Sequence, residues 1–288
     1  MLKEDNAINS NANYYQAYMN NNYDRMSRNY DHNMDYKWQD DNDPRYDFEN
    51  IVLAECKKKS SNFSALDVGT GTGRISLMIA SEFPSSSVKG LDQSAQMIKL
   101  AKRKSQEMQL KNISFDQYSI EAKLPYPDKS FDIITCSLAM IYFTQKDKFI
   151  NETNRTLKPG GFCCISTIGN EDMNFVLDPF WDLYYKFNPN FVNTFNPRLS
   201  EKQSRDLFEN AGYSKVEVTS FKRNVIFGSI EDYMALFNTY GLSGLLFFLT
   251  KSDAVKFMDE YRKKLKNMCE SNGVLKVLRE VLIIKGYS

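Results

Sequence analysis

The chain has 288 residues, enough for one elaborated α/β domain that buries its core without metal or disulfide staples. Its 37 Lys and Arg against 36 Asp and Glu leave no positive excess to release counterions from a phosphate backbone, which argues against a nucleic-acid partner. Five cysteines with no CxxC pair, a single histidine, no basic-then-apolar leader and no apolar run longer than Leu242 to Leu249 argue against a zinc site, secretion and a membrane span. A reducing, cytoplasmic setting is expected.

Residues 1–45 are rich in Asn and studded with Tyr14, Tyr15, Tyr18, Tyr23, Tyr30, Tyr36 and Trp38, too aromatic for a disordered tail, and are read as an N-terminal lid segment. Residues 46–288 form the domain proper. A helix-like stretch, Tyr46 to Lys59, leads into a strand at Phe63 to Val68, a Gly-rich turn, a helix at Arg74 to Phe83, a strand at Val88 to Leu91 and a helix at Ala95 to Gln109. A strand at Ile113 to Tyr118, a Pro-containing loop, a strand at Phe131 to Ser137, a helix at Lys146 to Leu157, the turn Lys158-Pro159-Gly160-Gly161 and a strand at Phe162 to Ile168 complete the regular alternation. Cys163 and Cys164 are adjacent on that strand and should pack on opposite faces. Such alternation predicts a doubly wound, mostly parallel α/β sheet with its binding crevice at the carboxyl ends of the strands.

The second half is less regular. Glu171 to Asn196 carries eight aromatics, spaced partly as a helix and partly as loop around Pro179 and Pro189. A capped amphipathic helix is expected from Leu199 to Gly212, a strand from Lys215 to Lys222, helix from Ile230 to Met268 and a short strand from Val281 to Lys285. The stretches at about 169–199 and 223–273 read as helical insertions forming a substrate roof.

Leu66-Asp67-Val68-Gly69-Thr70-Gly71-Thr72-Gly73-Arg74 follows a strand and opens a helix, where glycines permit a tight turn and close approach of a ligand. A dinucleotide fingerprint is disfavoured, because Arg74 stands where its third glycine is needed.

The pattern resembles the SAM-binding loop of class I S-adenosylmethionine (SAM)-dependent methyltransferases. The resemblance extends through the acidic end of Val88 to Asp92, the segment Leu124-Pro125-Tyr126-Pro127-Asp128, the Leu157 to Gly161 turn and the helix end at Asp206 to Tyr213, nearest the ubiquinone and menaquinone methyltransferase-like group. It implies a Rossmann-like, seven-stranded fold with SAM as cofactor and S-adenosylhomocysteine as product. Asp67 and the amides of Gly69 and Gly71 would then sit by the methionine moiety, with Thr70, Gly73 and Ser137 in the same crevice, and Asp92 would accept both ribose hydroxyls. Gln93 and Met97 are adenine neighbours on this reading, though Met97 equally suits the core. Where the family places a Gly-Asp pair for the adenine amino group, this chain has Ser119-Ile120, leaving Glu121 or backbone for that contact. Tyr23 and Tyr30 in the N-terminal segment complete the candidate cofactor set.

His32 is the only side chain with a near-neutral ordinary pKa and is the candidate general base, against an ordinary surface role. Tyr142, after the fourth strand, is the other catalytic candidate. Cys136-Ser137-Leu138-Ala139-Met140 at that strand end lacks the Asn/Asp-Pro-Pro-Tyr sequence associated with methylation of DNA adenine or glutamine. The aromatic stretches Phe175 to Phe195 and Tyr233 to Phe248 suit a small apolar or aromatic acceptor, methylated on O, N or C, against the alternative that these rings are core. The competing readings are a SAM-binding protein that transfers no methyl, whether regulatory module or cyclase, and a protein or RNA methyltransferase.

Overall fold

The computed structural model describes residues 44–59, 62–119, 123–191, 198–239 and 241–288. By packing they fall into two compact units: one holds the described residues up to 170 together with 198–221 and 281–288, the other 171–191, 222–239 and 241–280.

In the first unit, helix α1 (Pro44–Lys57) precedes strand β1 (Ser64–Val68), α2 (Arg74–Glu82), β2 (Ser87–Asp92), α3 (Ala95–Glu107), β3 (Ile113–Gln117), β4 (Phe131–Ser137), α4 (Lys146–Thr156) and β5 (Leu157–Ile168). After α5 (Asn174–Phe187) come α6 (Glu201–Asn210), β6 (Ser214–Phe227), α7 (Ile230–Thr239), a 3-10 helix at Gly241–Phe248, α8 (Lys251–Lys266) and β7 (Leu275–Tyr287). The strands form one seven-stranded sheet in the order β3-β2-β1-β4-β5-β7-β6. β1 pairs in parallel with β2 on one side and β4 on the other, β2 with β3 and β4 with β5 in parallel, and β7 runs antiparallel to β5. This is the Rossmann-like, mostly parallel sheet expected from the alternation, and its order reverses at β1 and β4, where such folds bind their ligands.

Both faces of the sheet are covered, so strand residues are apolar on both sides. Leu66, Val68, Ile134, Cys136, Cys163 and Ile165 join one buried cluster, with Phe149 and Ile150 of α4. Ala65, Ile133, Phe162 and Cys164 join the opposite one, with Ile75 and Ile79 of α2 and Phe48 and Val52 of α1. Cys163 and Cys164 therefore lie on opposite faces, as strand geometry requires. All five cysteines are free.

Several elements differ from the sequence reading. The Lys158 to Gly161 turn is taken up within β5: Phe131 pairs with Leu157 but Ile133 with Phe162, so the turn bulges out of the ladder. α5 runs through Pro179, which lies inside the helix, because the face bearing Val176, Leu177, Phe180, Leu183 and Tyr184 is buried and that packing outweighs the lost hydrogen bond. The expected long helix from Ile230 is interrupted by the 3-10 segment, and α8 restarts where Thr250 caps it by accepting from Asp253 N at 3.1 Å. β6 and β7 extend beyond the expected Lys215–Lys222 and Val281–Lys285, since Asn224-Val225-Ile226-Phe227 and Leu275-Lys276-Val277 continue extended backbone.

The second unit has its own core. Phe180 stacks parallel to Tyr184 at 5.8 Å and meets Phe257 and Tyr261 edge-on at 5.1 and 5.6 Å. The buried phenols are partnered: Tyr261 donates to Val176 O at 2.9 Å and shares a hydrogen bond with Tyr233 at 3.0 Å, and Tyr184 donates to Leu245 O at 2.9 Å. Asp172 and Glu280, each 2% exposed, are also satisfied: Asp172 accepts from Arg279 Nε at 2.7 Å, and Glu280 from Glu171 N at 2.8 Å.

Candidate functional site

The turn between β1 and α2 is built on three left-handed glycines, Gly69 (φ 69°), Gly71 (φ 55°) and Gly73 (φ 90°). They serve different ends. A Cβ at Gly73 would crowd Leu77 and Ala101 at 3.1 and 3.2 Å, so this glycine seats the turn against α3. A Cβ at Gly71 would meet nothing within 4 Å, which leaves that side open for close approach. Thr70 N donates to Leu91 O at 2.9 Å, Gly73 N to Thr70 O at 2.9 Å and Gly71 N to Asp92 Oδ2 at 2.8 Å.

Asp92 ends β2 beside this turn. Its Oδ2 accepts from Gly71 N and its Oδ1 from Ser94 N at 2.9 Å, so the carboxylate ties the glycine turn to the start of α3. Ser94 caps that helix, accepting from Met97 N at 3.2 Å. Two amides take one acceptor site on each oxygen, and a carboxylate has about four. Gln93 is half-buried, and its carbonyl accepts from Gln117 Nε2 at 3.0 Å. Met97 is 2% exposed, the core placement of its two readings.

Asp67, expected beside the methionine moiety, is enclosed by hydroxyls of its own chain. It is 2% exposed and already holds three hydroxyls: Thr135 Oγ1 donates to Oδ1 at 2.8 Å, and Thr70 Oγ1 and Ser76 Oγ each donate to Oδ2 at 2.7 Å. The Thr70 and Ser76 hydroxyls also contact each other, and with one proton apiece they share that contact with the carboxylate. Burial pushes the Asp67 carboxyl above its ordinary range, and the three hydroxyl donors oppose that shift. The Gly71 amide is likewise committed to Asp92, so the turn contributes proximity at Gly71 more than that donor.

β4 ends at half-buried Ser137, whose Oγ lies 3.4 Å from Ser166 Oγ. The next residue, Leu138, has a left-handed φ of 53° without being glycine, and its N–H donates to Ser166 O and Oγ, both at 3.0 Å. A non-glycine residue held there is strained and marks a turn fixed by its surroundings. Tyr142 is half-buried and packs on the core cluster that contains Phe143 and Phe149. His32, Tyr23, Tyr30, Ile120 and Glu121 lie outside the described residues.

Sequence reasoning missed Thr135, Ser76 and Gly90. A Cβ at Gly90 would come within 2.5 Å of Phe115 Cδ1 and 2.9 Å of Thr70 Oγ1, so only glycine leaves room for the threonine that supports the turn. The Gly90-Leu91-Asp92 spacing was visible in the sequence, but nothing local indicates which side chains fill the space. Arg74, where a dinucleotide turn needs glycine, pairs with Glu49 and stands 5.5 Å from the Tyr46 ring centroid, tying α2 to α1.

A family model described as a methyltransferase domain matches residues 59–212, more than half of the chain. The chain belongs to the class I SAM-dependent methyltransferase family. Among curated members of that family, it is 36% identical over 131 residues to the uncharacterised methyltransferase YcgJ of Bacillus subtilis, an alignment covering 45% of this chain and 49% of YcgJ. It is 30% identical over 190 residues to the demethylmenaquinone methyltransferase of Lactobacillus johnsonii, covering 60% and 76% of the two chains. The chain thus spans about half the length of the first of these relatives and three quarters of the second. The crystal structure of B. subtilis YcgJ superposes with a TM-score of 0.58 at 20% identity, over 84% of this chain and 98% of that one, a likeness of fold. Among the described residues no helix is long and apolar enough to cross a membrane, and no cluster of His, Cys, Asp and Glu suited to a metal is present.

The residues at the switch point fit the family's cofactor. Gly71 leaves an open side beside an acidic strand end, and Asp92 offers oxygens of the type that two adjacent hydroxyls require.

Proposed function

We propose that this chain transfers the methyl group of SAM to a small, apolar or aromatic molecule. The observation that carries the reading is the open glycine turn at the end of β1 joined, through Gly71 N, to the carboxylate that ends β2. On this reading Asp92 holds the ribose and Gly69 and Gly71 admit the methionine moiety closely. Gln93 borders the adenine, and Ser137 and Tyr142 line the approach of the acceptor. When bound, SAM supplies a methyl group on a sulfonium that is already a good leaving group. The protein's task is then to align the acceptor and exclude water, which by themselves provide much of the acceleration.

The acceptor class is argued from two supports. Within the helical unit Trp181 and Phe191, both only half-buried, stack at 6.4 Å, and accessible rings of this kind are what small-molecule sites favour. The L. johnsonii relative is named a demethylmenaquinone methyltransferase, and an acceptor of that kind is the second support.

The test is incubation of the purified chain with methyl-labelled SAM and fractionated extract of its source cells, with label followed by mass spectrometry. Label in a small-molecule fraction supports the proposal and delivers the product. Label in protein or RNA, or SAM bound with no label transferred, overturns it in favour of the corresponding alternative.

A further inference from the structure

Three hydroxyls converge on the buried Asp67 carboxylate, and they come from three elements: Thr70 from the glycine turn, Ser76 from the first turn of α2 and Thr135 from β4. Thr135 stands directly opposite Asp67 in the parallel β1–β4 register, at the two strands where the sheet order reverses. It lies two residues before Ser137, at the end of β4. The carboxylate divides its work, with Oδ1 receiving Thr135 and Oδ2 receiving the residues that shape the turn. A Cβ at Gly90 would stand 2.9 Å from Thr70 Oγ1, so the glycine leaves the threonine its place.

Resting on the SAM-binding reading above, we infer that Thr135 is a positioning residue for the cofactor turn. Its hydroxyl fixes Asp67 Oδ1, and the orientation so imposed on Oδ2 sets where Thr70, and with it Gly69 and Gly71, stand. Valine at this position fills the same volume but withdraws that donor from a fully buried carboxylate oxygen. The carboxylate then rotates towards another donor or binds a proton, and either change moves the acceptor that Thr70 follows. Packing alone would not distinguish threonine from valine here, whereas this role does. Serine, which retains the hydroxyl and loses only a methyl group, should preserve it.

The experiment measures S-adenosylhomocysteine affinity by calorimetry on the full chain, well below the melting temperature of each variant. Thr135→Val is expected to weaken binding by about tenfold, the size associated with one unmade buried hydrogen bond, and Thr135→Ser to return to within about twofold of wild type. Thr153→Val is the control: Thr153 is fully buried and its hydroxyl bonds Ile150 O and receives Tyr213, so its loss should lower the melting temperature and leave the affinity unchanged. If Thr135→Val does not fold, Thr135→Cys, a weak donor of similar size, takes its place and should bind less tightly than Thr135→Ser. Wild-type affinity in Thr135→Val or Thr135→Cys, or equally weak binding by Thr135→Ser, overturns the inference. Absence of binding by the wild-type chain overturns the SAM reading itself, and this inference with it.

Discussion

A methyl group added at Gly90 would stand 2.5 Å from Phe115 Cδ1 and 2.9 Å from Thr70 Oγ1, with Phe115 itself buried in the cluster beneath α3. Gly90→Ala should therefore cost about 1 to 3 kcal/mol by overpacking, read as a lower denaturant midpoint, and should weaken cofactor binding because the displaced atom belongs to the turn. Asp67 gives a prediction of opposite sign. Burial raises its carboxyl above the ordinary 3.8, so the folded chain holds that proton more tightly than the unfolded chain does. The resulting stabilisation is complete below pH 3.8 and is lost as pH rises through the folded value. Asp67→Asn does not ionise, so its stability relative to wild type should increase as pH rises across that window. Denaturant titrations of both proteins at a series of pH values check this; a constant difference would show that burial does not raise the Asp67 carboxyl.

Elements were legible in proportion to how local their causes are. The helix from Glu201 was expected as a capped one, and Ser200 and Gln203 close a reciprocal box, with Gln203 N donating to Ser200 Oγ at 3.1 Å and Ser200 N to Gln203 Oε1 at 2.9 Å. Local signals misled at Pro179, where the expected break in α5 is absent. Proline forfeits one hydrogen bond inside the helix, while the face from Val176 to Tyr184 gains a core whose members are distant in sequence. That core also relies on buried phenols. Tyr261→Phe removes the donor to Val176 O and the partner of Tyr233, and should cost about 1 to 2 kcal/mol. Hydrogen exchange along α5 and α8 would report the loss, and unchanged protection would show those hydroxyls to be neutral.

For the whole molecule, the cofactor reading makes a thermodynamic demand. S-adenosylhomocysteine at about a hundred times its dissociation constant adds roughly 2.7 kcal/mol to the folded state, which for a domain of this size raises the melting temperature by several degrees. Asp92→Ala should remove most of that rise, because it strands the ribose hydroxyls and releases Gly71 N together. An undiminished rise would sink the role of Asp92.

The sequence by itself determined the strand–helix alternation, the glycine turn and the acidic strand end, because each is written in contiguous residues: hydrophobic period, positive-φ glycines and a carboxylate at fixed spacing. The tertiary structure decided which way the carboxylates face. Asp67 and Asp92 stand at the ends of adjacent strands and look alike in sequence, yet one is enclosed by Thr135 and Ser76 while the other meets the amides of Gly71 and Ser94. Ser94 and Ser76 are near neighbours in sequence and Gly71 lies 21 residues from Asp92, whereas Thr135, 68 residues from Asp67, is brought there by the β1–β4 pairing alone. Whether a carboxylate is a ligand or an anchor depends on the three-dimensional supply of donors around it, which no local pattern encodes.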